Sequence, residues 1–275
     1  MIAGATHWRL HLTILAATFV LFPLLGLAAS LSLSTVLTPA LASGILFLTV
    51  LPSTVQSSIA FTSMAGGNVP AAVCAATASN LIGMVATPLL VGLLFSVKGV
   101  GFSFGVLGTI VVQLLLPFLA GQILQPFIGG FVRRHRPLLV IVDRGAILMV
   151  VYSAFSAAVV SGLWHQFDAK AILTMVLVDM ALLAAVLAIT TWGSRRLGFS
   201  REDEIAIVFC GSKKSLASGV PMANVIFAGG AIGAIVLPVM LFHQIQLMAC
   251  AWLARHYAEK RRRDETVSAP PRAAE

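Results

Sequence analysis

Acidic side chains are scarce here: Asp and Glu together number 10 in 275 residues, and all charged types make up only 10% of the chain. A water-soluble domain of this length needs far more charge to cover its surface, so that class is excluded. Hydrophobic residues make up 59% and the mean hydropathy is +0.97, which reads as an all-α integral membrane protein. Cysteine is as rare. Cys74, Cys210 and Cys250 are odd in number and scattered through apolar runs, which gives neither a disulfide framework nor metal-ligand spacing. A glycine-rich phosphate loop is missing too, so ATP-driven transport has no support. The serines lack a His or Asp partner at recognisable spacing, so the expectation is a protein that is not an enzyme and carries no cofactor. The start MIAGATHWRLH has no short apolar region ending at a small-residue cleavage site, which argues against a cleavable signal peptide.

What the chain has instead is basic charge and long apolar runs. The formal charge is +8. Eight apolar stretches are long enough to cross roughly 30 Å of hydrocarbon: about 12–33, 40–63, 69–95, 102–126, 138–162, 171–192, 203–226 and 228–253. Basic residues alternate between the loops that join them. Arg9, Arg133, Arg134, Arg136, Arg195, Arg196, Arg201, Arg255, Lys260 to Arg263 and Arg272 fall on one side, against only Lys98 and Lys170 on the other. The charge therefore belongs to membrane topology and not to nucleic acid, and it places both termini in the cytoplasm. Residues 1–258 read as one transmembrane domain. Residues 259–275 read as a basic cytoplasmic tail, disordered beyond Glu265.

The spans follow an order of plain, broken, plain at 12–95 and again at 171–253, with two ordinary spans at 102–162 between them. An odd number of helices per unit gives the second copy opposite orientation, the inverted-repeat plan of secondary transporters. If the true unit is two plus three helices, the first copy lacks two leading spans. The breaks themselves are polar. Pro52 is followed by Ser53, Thr54, Gln56, Ser57 and Ser58; in the second repeat, Gly211, Ser212, Lys213, Lys214, Ser215, Ser218, Gly219 and Pro221 interrupt the apolar run. Unwound backbone at membrane depth survives only inside protein or beside a water-filled cavity, so paired breaks mark a transport site.

The runs LPSTVQSSIAFTSMAGGNVPAAVCAATASNLIG, EDEIAIVFCGSKKSLASGVPMANVIF and LPVMLFHQIQL resemble the bile acid:sodium symporter family over nearly the whole chain to about residue 258. The resemblance implies a fold of ten helices, about eight of them here, in which core helices (about 12–95 and 171–253) work against panel helices (about 102–162) and two discontinuous helices cross near the bilayer centre. It implies a bacterial inner membrane location and a small-molecule solute, with sodium or a proton as coupling ion. Ser57 and Ser58 take the places of the family's first sodium ligands, and Thr77 or Ser79 and Asn80 match further ones. The acidic residue and Gln of sodium-coupled members correspond to Val208 and Ser212. The carboxylate is gone.

Two lysines stand beside that vacancy. A central membrane Lys costs about 2.5 to 3.5 kcal/mol on insertion scales, so an unpaired pair costs about 5 to 7. The carbonyl ends of half-helices gather negative partial charge at such a crossing. A tethered ammonium, Lys213 ahead of Lys214, is expected to satisfy them as a built-in cation, with Asp179 a partner for the other lysine. Two other readings stay open: both lysines anchor the end of a shorter span, or they form an anion site. Asn80 and Asn224 occupy comparable places in the two repeats, while His243, Gln244 and Gln246 either line the pathway or bond between helices. The function expected is a secondary active transporter of an organic anion or related small solute; the alternative is a membrane scaffold that kept the fold and lost transport.

Overall fold

The computed structural model describes residues 7–33, 37–96, 105, 108, 112, 116–160, 162, 168–227 and 232–268, and among them every regular element is a helix. In chain order these are α1 (Trp8–Ser32), α2 (Pro39–Val50), α3 (Gln56–Met64), α4 (Val69–Ser96), α5 (Leu116–Arg134), α6 (Arg136–Val160), α7 (Ala169–Arg196), α8 (Arg201–Gly211), α9 (Leu216–Ile226) and α10 (Ile232–Ser268). Four of them, α1, α4, α7 and the Ile232–Asp264 part of α10, are long and apolar enough to cross a membrane. Two further crossings predicted from sequence are each divided, α2 from α3 and α8 from α9. The predicted span 102–126 falls largely outside the described residues. In the basic tail, α10 runs on as helix to Ser268.

Each helix boundary near the breaks has a local cause. Thr38 caps α2 by accepting from the Leu41 amide, and Pro39 supplies the preset φ of a first helical residue. At its other end Leu51 is extended, with φ −67° and ψ 151°, as the residue before a proline is driven to be. Ser200 caps α8 and is followed by Glu202, Asp203 and Glu204, whose charge suits the positive end of the helix. Ser215 caps α9. The four residues between α8 and α9 include no proline, so that break is held by tertiary contacts described below.

Proline also shapes α1. Residues Ala17–Leu21 form a π turn, in which the Phe22 amide donates to Ala17 O in place of Thr18 O. The next amide along would belong to Pro23, which has no N–H. The Thr18 carbonyl is thus left without a helical donor.

The largest apolar cluster joins α1, α2, α4, α7, α9 and α10 around Phe22, Phe47, Leu183, Leu237 and Phe242. Small residues let the backbones approach: a Cβ on Gly44 would stand 2.6 Å from Ile235 O and 2.8 Å from Pro238 Cγ on α10. Gly44→Val is therefore expected to force α2 off α10, costing about 3 kcal/mol or more, read as a fall in thermal unfolding temperature in detergent.

Candidate functional site

The two breaks meet. The amide of Ser215 donates to Pro52 O at 2.9 Å, joining the second break directly to the first. Around that bond, all five carbonyls from Thr49 to Ser53 have a donor from outside their own helix. Thr49 O and Leu51 O accept from Lys214 Nζ at 2.7 and 2.8 Å, Val50 O from the Thr87 hydroxyl at 2.7 Å, Pro52 O from Ser215, and Ser53 O from Asn80 Nδ2 at 2.6 Å. This is the complete accounting that an unwound segment requires at membrane depth.

Lys214 is fully buried and spends its three protons on three carbonyls: Thr49 O, Leu51 O and, at 2.8 Å, the Thr18 O stranded by the π turn. Its ammonium also lies 4.2 Å from the centre of the Phe22 ring. Hydrogen bonds to a charged donor are worth about 1.5 to 3 kcal/mol each, so three outweigh the roughly 3 kcal/mol of placing a lysine at mid-membrane. The ammonium thus closes the carbonyl end of α2 and stitches it to α1.

Lys213 is held differently. It is equally buried, but Nζ has no hydrogen-bond partner; it lies 3.9 Å from the Phe61 ring centre and 5.5 Å from that of Phe209. The sequence favoured Lys213 over Lys214 as the cation facing the half-helix carbonyls, and the geometry gives that position to Lys214. Nor is Asp179 the partner of either lysine. Both its carboxyl oxygens are buried in α7 without a hydrogen-bond partner.

Each break is gripped by the long helix that follows it. On α4, Ser79 Oγ accepts from the Ser53 amide at 3.1 Å while Asn80 donates to Ser53 O. On α10, Gln246 does both tasks at the second break: Oε1 accepts from the Lys214 amide and Nε2 donates to Lys214 O, both at 2.8 Å. Gln246 Nε2 is also 2.9 Å from His243 Nδ1. One residue in each break, Ser53 and Lys214, is therefore held by both its N–H and its C=O.

Beside the crossing lies a cavity of about 320 Å³ whose polar lining is Thr54, Gln56, Ser57, Asn80, Ser215, Ser218 and His243. Asn80 links α4 to α9 here, because its Oδ1 accepts from the Ser218 hydroxyl at 3.1 Å. Neither lysine is among the lining residues. Of the other residues singled out from sequence, Ser53 and Ser58 form a hydroxyl cluster with Thr54 and Ser57: Thr54 Oγ1 is 2.7 Å from Ser57 Oγ and 3.0 Å from Ser58 Oγ. Ser58 then donates to Phe209 O at 3.1 Å, tying α3 to α8. Ser212 is buried within the second break. Thr77 and Asn224 are exposed and make none of these bonds, so the structure gathers most of the set but not those two. Among the described residues, no three His, Cys, Asp or Glu side chains are grouped to hold a metal ion.

Thr18 and Thr87 were missed from sequence, whereas Ser218 was read there only as part of the second break. Pro23 five positions after Thr18 is the signal that a carbonyl would be freed there; Thr87, alone in an apolar run, carries none that distinguishes it from a packing residue.

Comparison with known proteins points the same way as the site. The description of the SBF-like CPA transporter family (DUF4137) matches residues 1–259. The Pseudomonas aeruginosa protein PA2026 is 60% identical over 270 residues, covering 98% of this chain and 80% of that protein. YfeH of Escherichia coli is 52% identical over 257 residues, 94% of this chain and 77% of its own length. Sodium/bile acid cotransporter 7 of Rattus norvegicus is 28% identical over 250 residues, 90% of this chain and 73% of that one. An integral membrane helix bundle whose match to the family runs through both helix breaks and the GSKKSLASGVPMAN segment between α8 and α9 belongs to the SBF-like CPA transporter family, among the bile acid:sodium symporter relatives.

Proposed function

We propose that the protein is a secondary transporter of a small organic anion, working by alternating access around the crossing of α2/α3 and α8/α9, with the Lys214 ammonium occupying the position that a coupling cation would otherwise fill. The observation that carries this reading is the triad of carbonyls, Thr18 O, Thr49 O and Leu51 O, on one tethered charge at the contact of two helix breaks. The matched grips of Ser79 and Asn80 on one break and Gln246 on the other support an inverted repeat, with α1 to α4 and α7 to α10 as its units. The basic ends of α7 and α10, with Arg9 donating to Leu197 O at the same end, support cytoplasmic termini.

An anion is favoured over a cation on electrostatic grounds. Gln56 and Ser57 at the start of α3 and Leu216 at the start of α9 line the cavity, so two positive helix ends face it, and among the described residues no acidic side chain lines it. The cavity volume of about 320 Å³ lies at the low end for ligand sites, which favours a compact solute. With the cation built in, uptake of such an anion into proteoliposomes is expected to proceed at the same rate when sodium is replaced by potassium or choline on both sides. A requirement for a sodium gradient would sink this reading.

A further inference from the structure

At the basic end of the bundle, away from the crossing, α7 and α10 pack with an open groove between them. Its apolar length, about 400 Å³, is shaped by two small residues, Ala188 and Ala249, and flanked by Trp192 and Trp252, which are 62% and 69% exposed. That groove runs directly into a second cavity of about 480 Å³: Thr191, Arg195 and Leu253 line both. The second cavity is cationic. Arg195, Arg201, Lys260 and His256 line it, with Glu204 as the acid.

The charge of that acid is already taken. Glu204 receives Arg195 Nε and Nη2 at 2.8 and 2.9 Å and the Tyr257 hydroxyl at 2.8 Å. Arg201 uses Nη1 on Asp264 at 2.7 Å, while its Nη2 is buried with no hydrogen-bond partner. Lys260 is exposed on the same face of α10, one turn beyond His256, which stacks on Trp252. Above the other rim, the Arg196 guanidinium lies 5.1 Å from the Trp192 ring centre. Aromatic rings and basic side chains at one depth are the signature of the membrane–water boundary.

We infer that this composite groove is a binding site for one anionic phospholipid, its phosphate headgroup against Arg201 Nη2, Lys260 and Arg195 and one acyl chain along Ala188 and Ala249 between the two tryptophans. Charge complementarity selects the headgroup: a zwitterionic lipid brings a choline cation to a cavity in which Glu204, the one acid among the described lining residues, is engaged. Continuity of the two cavities selects a lipid over a free anion, because the apolar part has no work to do for phosphate alone. The occupied groove would clamp α7 against the second half of α10, the helix whose Gln246 grips the Lys214 backbone.

The test uses the full chain, purified in neutral detergent and stripped of lipid. Dioleoyl phosphatidylglycerol, dioleoyl phosphatidylcholine and inorganic phosphate are added separately, with native mass spectrometry reading occupancy and thermal unfolding reading stabilisation. One phosphatidylglycerol is expected to bind and raise the unfolding temperature, with phosphatidylcholine and phosphate giving no shift. Lys260→Gln should weaken that binding about fivefold, the effect of about 1 kcal/mol per basic group at a membrane surface. Ala188→Trp, a substitution at an exposed position that fills the groove, should abolish it while leaving the unfolding temperature of the lipid-free protein unchanged. Equal binding of the two lipids, or undiminished phosphatidylglycerol binding in either variant, would overturn the inference. The same shift with inorganic phosphate alone would overturn the lipid assignment in favour of a free anion.

Discussion

Replacing Lys214 by methionine is expected to remove most of the protein's stability. Three carbonyls, Thr18 O, Thr49 O and Leu51 O, lose their only described donor at a buried point that water does not reach. An unsatisfied buried acceptor costs about 1 to 3 kcal/mol, so the three together cost about 3 to 9, comparable to the whole stability of a typical domain. Lys214→Arg should fail as well, because a planar guanidinium cannot point three donors at a pyramidal set of oxygens. The measurement is the unfolding temperature in detergent, with the folded fraction by size-exclusion chromatography. A sharper version uses Lys214→Ala, which leaves room for a free cation among the same oxygens. Sodium or methylammonium, but not choline, should restore part of the lost stability in Lys214→Ala and have no effect on the unsubstituted protein. If Lys214→Met unfolds at the same temperature as the parent, the ammonium does not hold the crossing.

The neighbouring lysine should respond with the opposite sign. Lys213 has no hydrogen-bond partner and is stabilised mainly by the face of Phe61. A desolvated cation–π contact returns about 2 kcal/mol, short of the roughly 2.5 to 3.5 kcal/mol that burying the lysine costs. Lys213→Met keeps the volume and removes the charge, so it should stabilise the protein by about 1 kcal/mol, a rise of a few degrees in unfolding temperature. A residue retained against stability is expected to serve activity. Lys213→Met is therefore expected to reduce uptake at least about tenfold in proteoliposomes while folding better than the parent. Unchanged uptake would reduce Lys213 to a packing residue. A lower unfolding temperature would show that the amine has a partner after all.

The opposite fates of two adjacent residues also mark where sequence reasoning reaches its limit. The run LPSTVQSS displays its own break, because Pro52 both ends α2 and removes the amide that Leu48 O would have used; that logic is local and legible. GSKKS is legible as an interruption for the same reason: no apolar helix carries two lysines at its middle without cause. Which lysine meets the carbonyls depends on the rotation of a short non-helical segment, and that rotation is fixed from 32 residues away by Gln246 on the Lys214 backbone. A single sequence offers no register between α9 and α10, so Gln246 looked no different from Gln244, which is exposed. Asp179 failed for a similar reason: its depth in α7 could be counted, but not its azimuth.

How Lys214 is attached limits what its charge can do. A sodium ion that binds on one face of a membrane and departs on the other surrenders its electrochemical potential to whatever travels with it. An ammonium joined to the main chain by four methylenes cannot depart, so it completes the architecture without contributing any driving force, and uphill accumulation of a solute must draw its work from some other species that does cross.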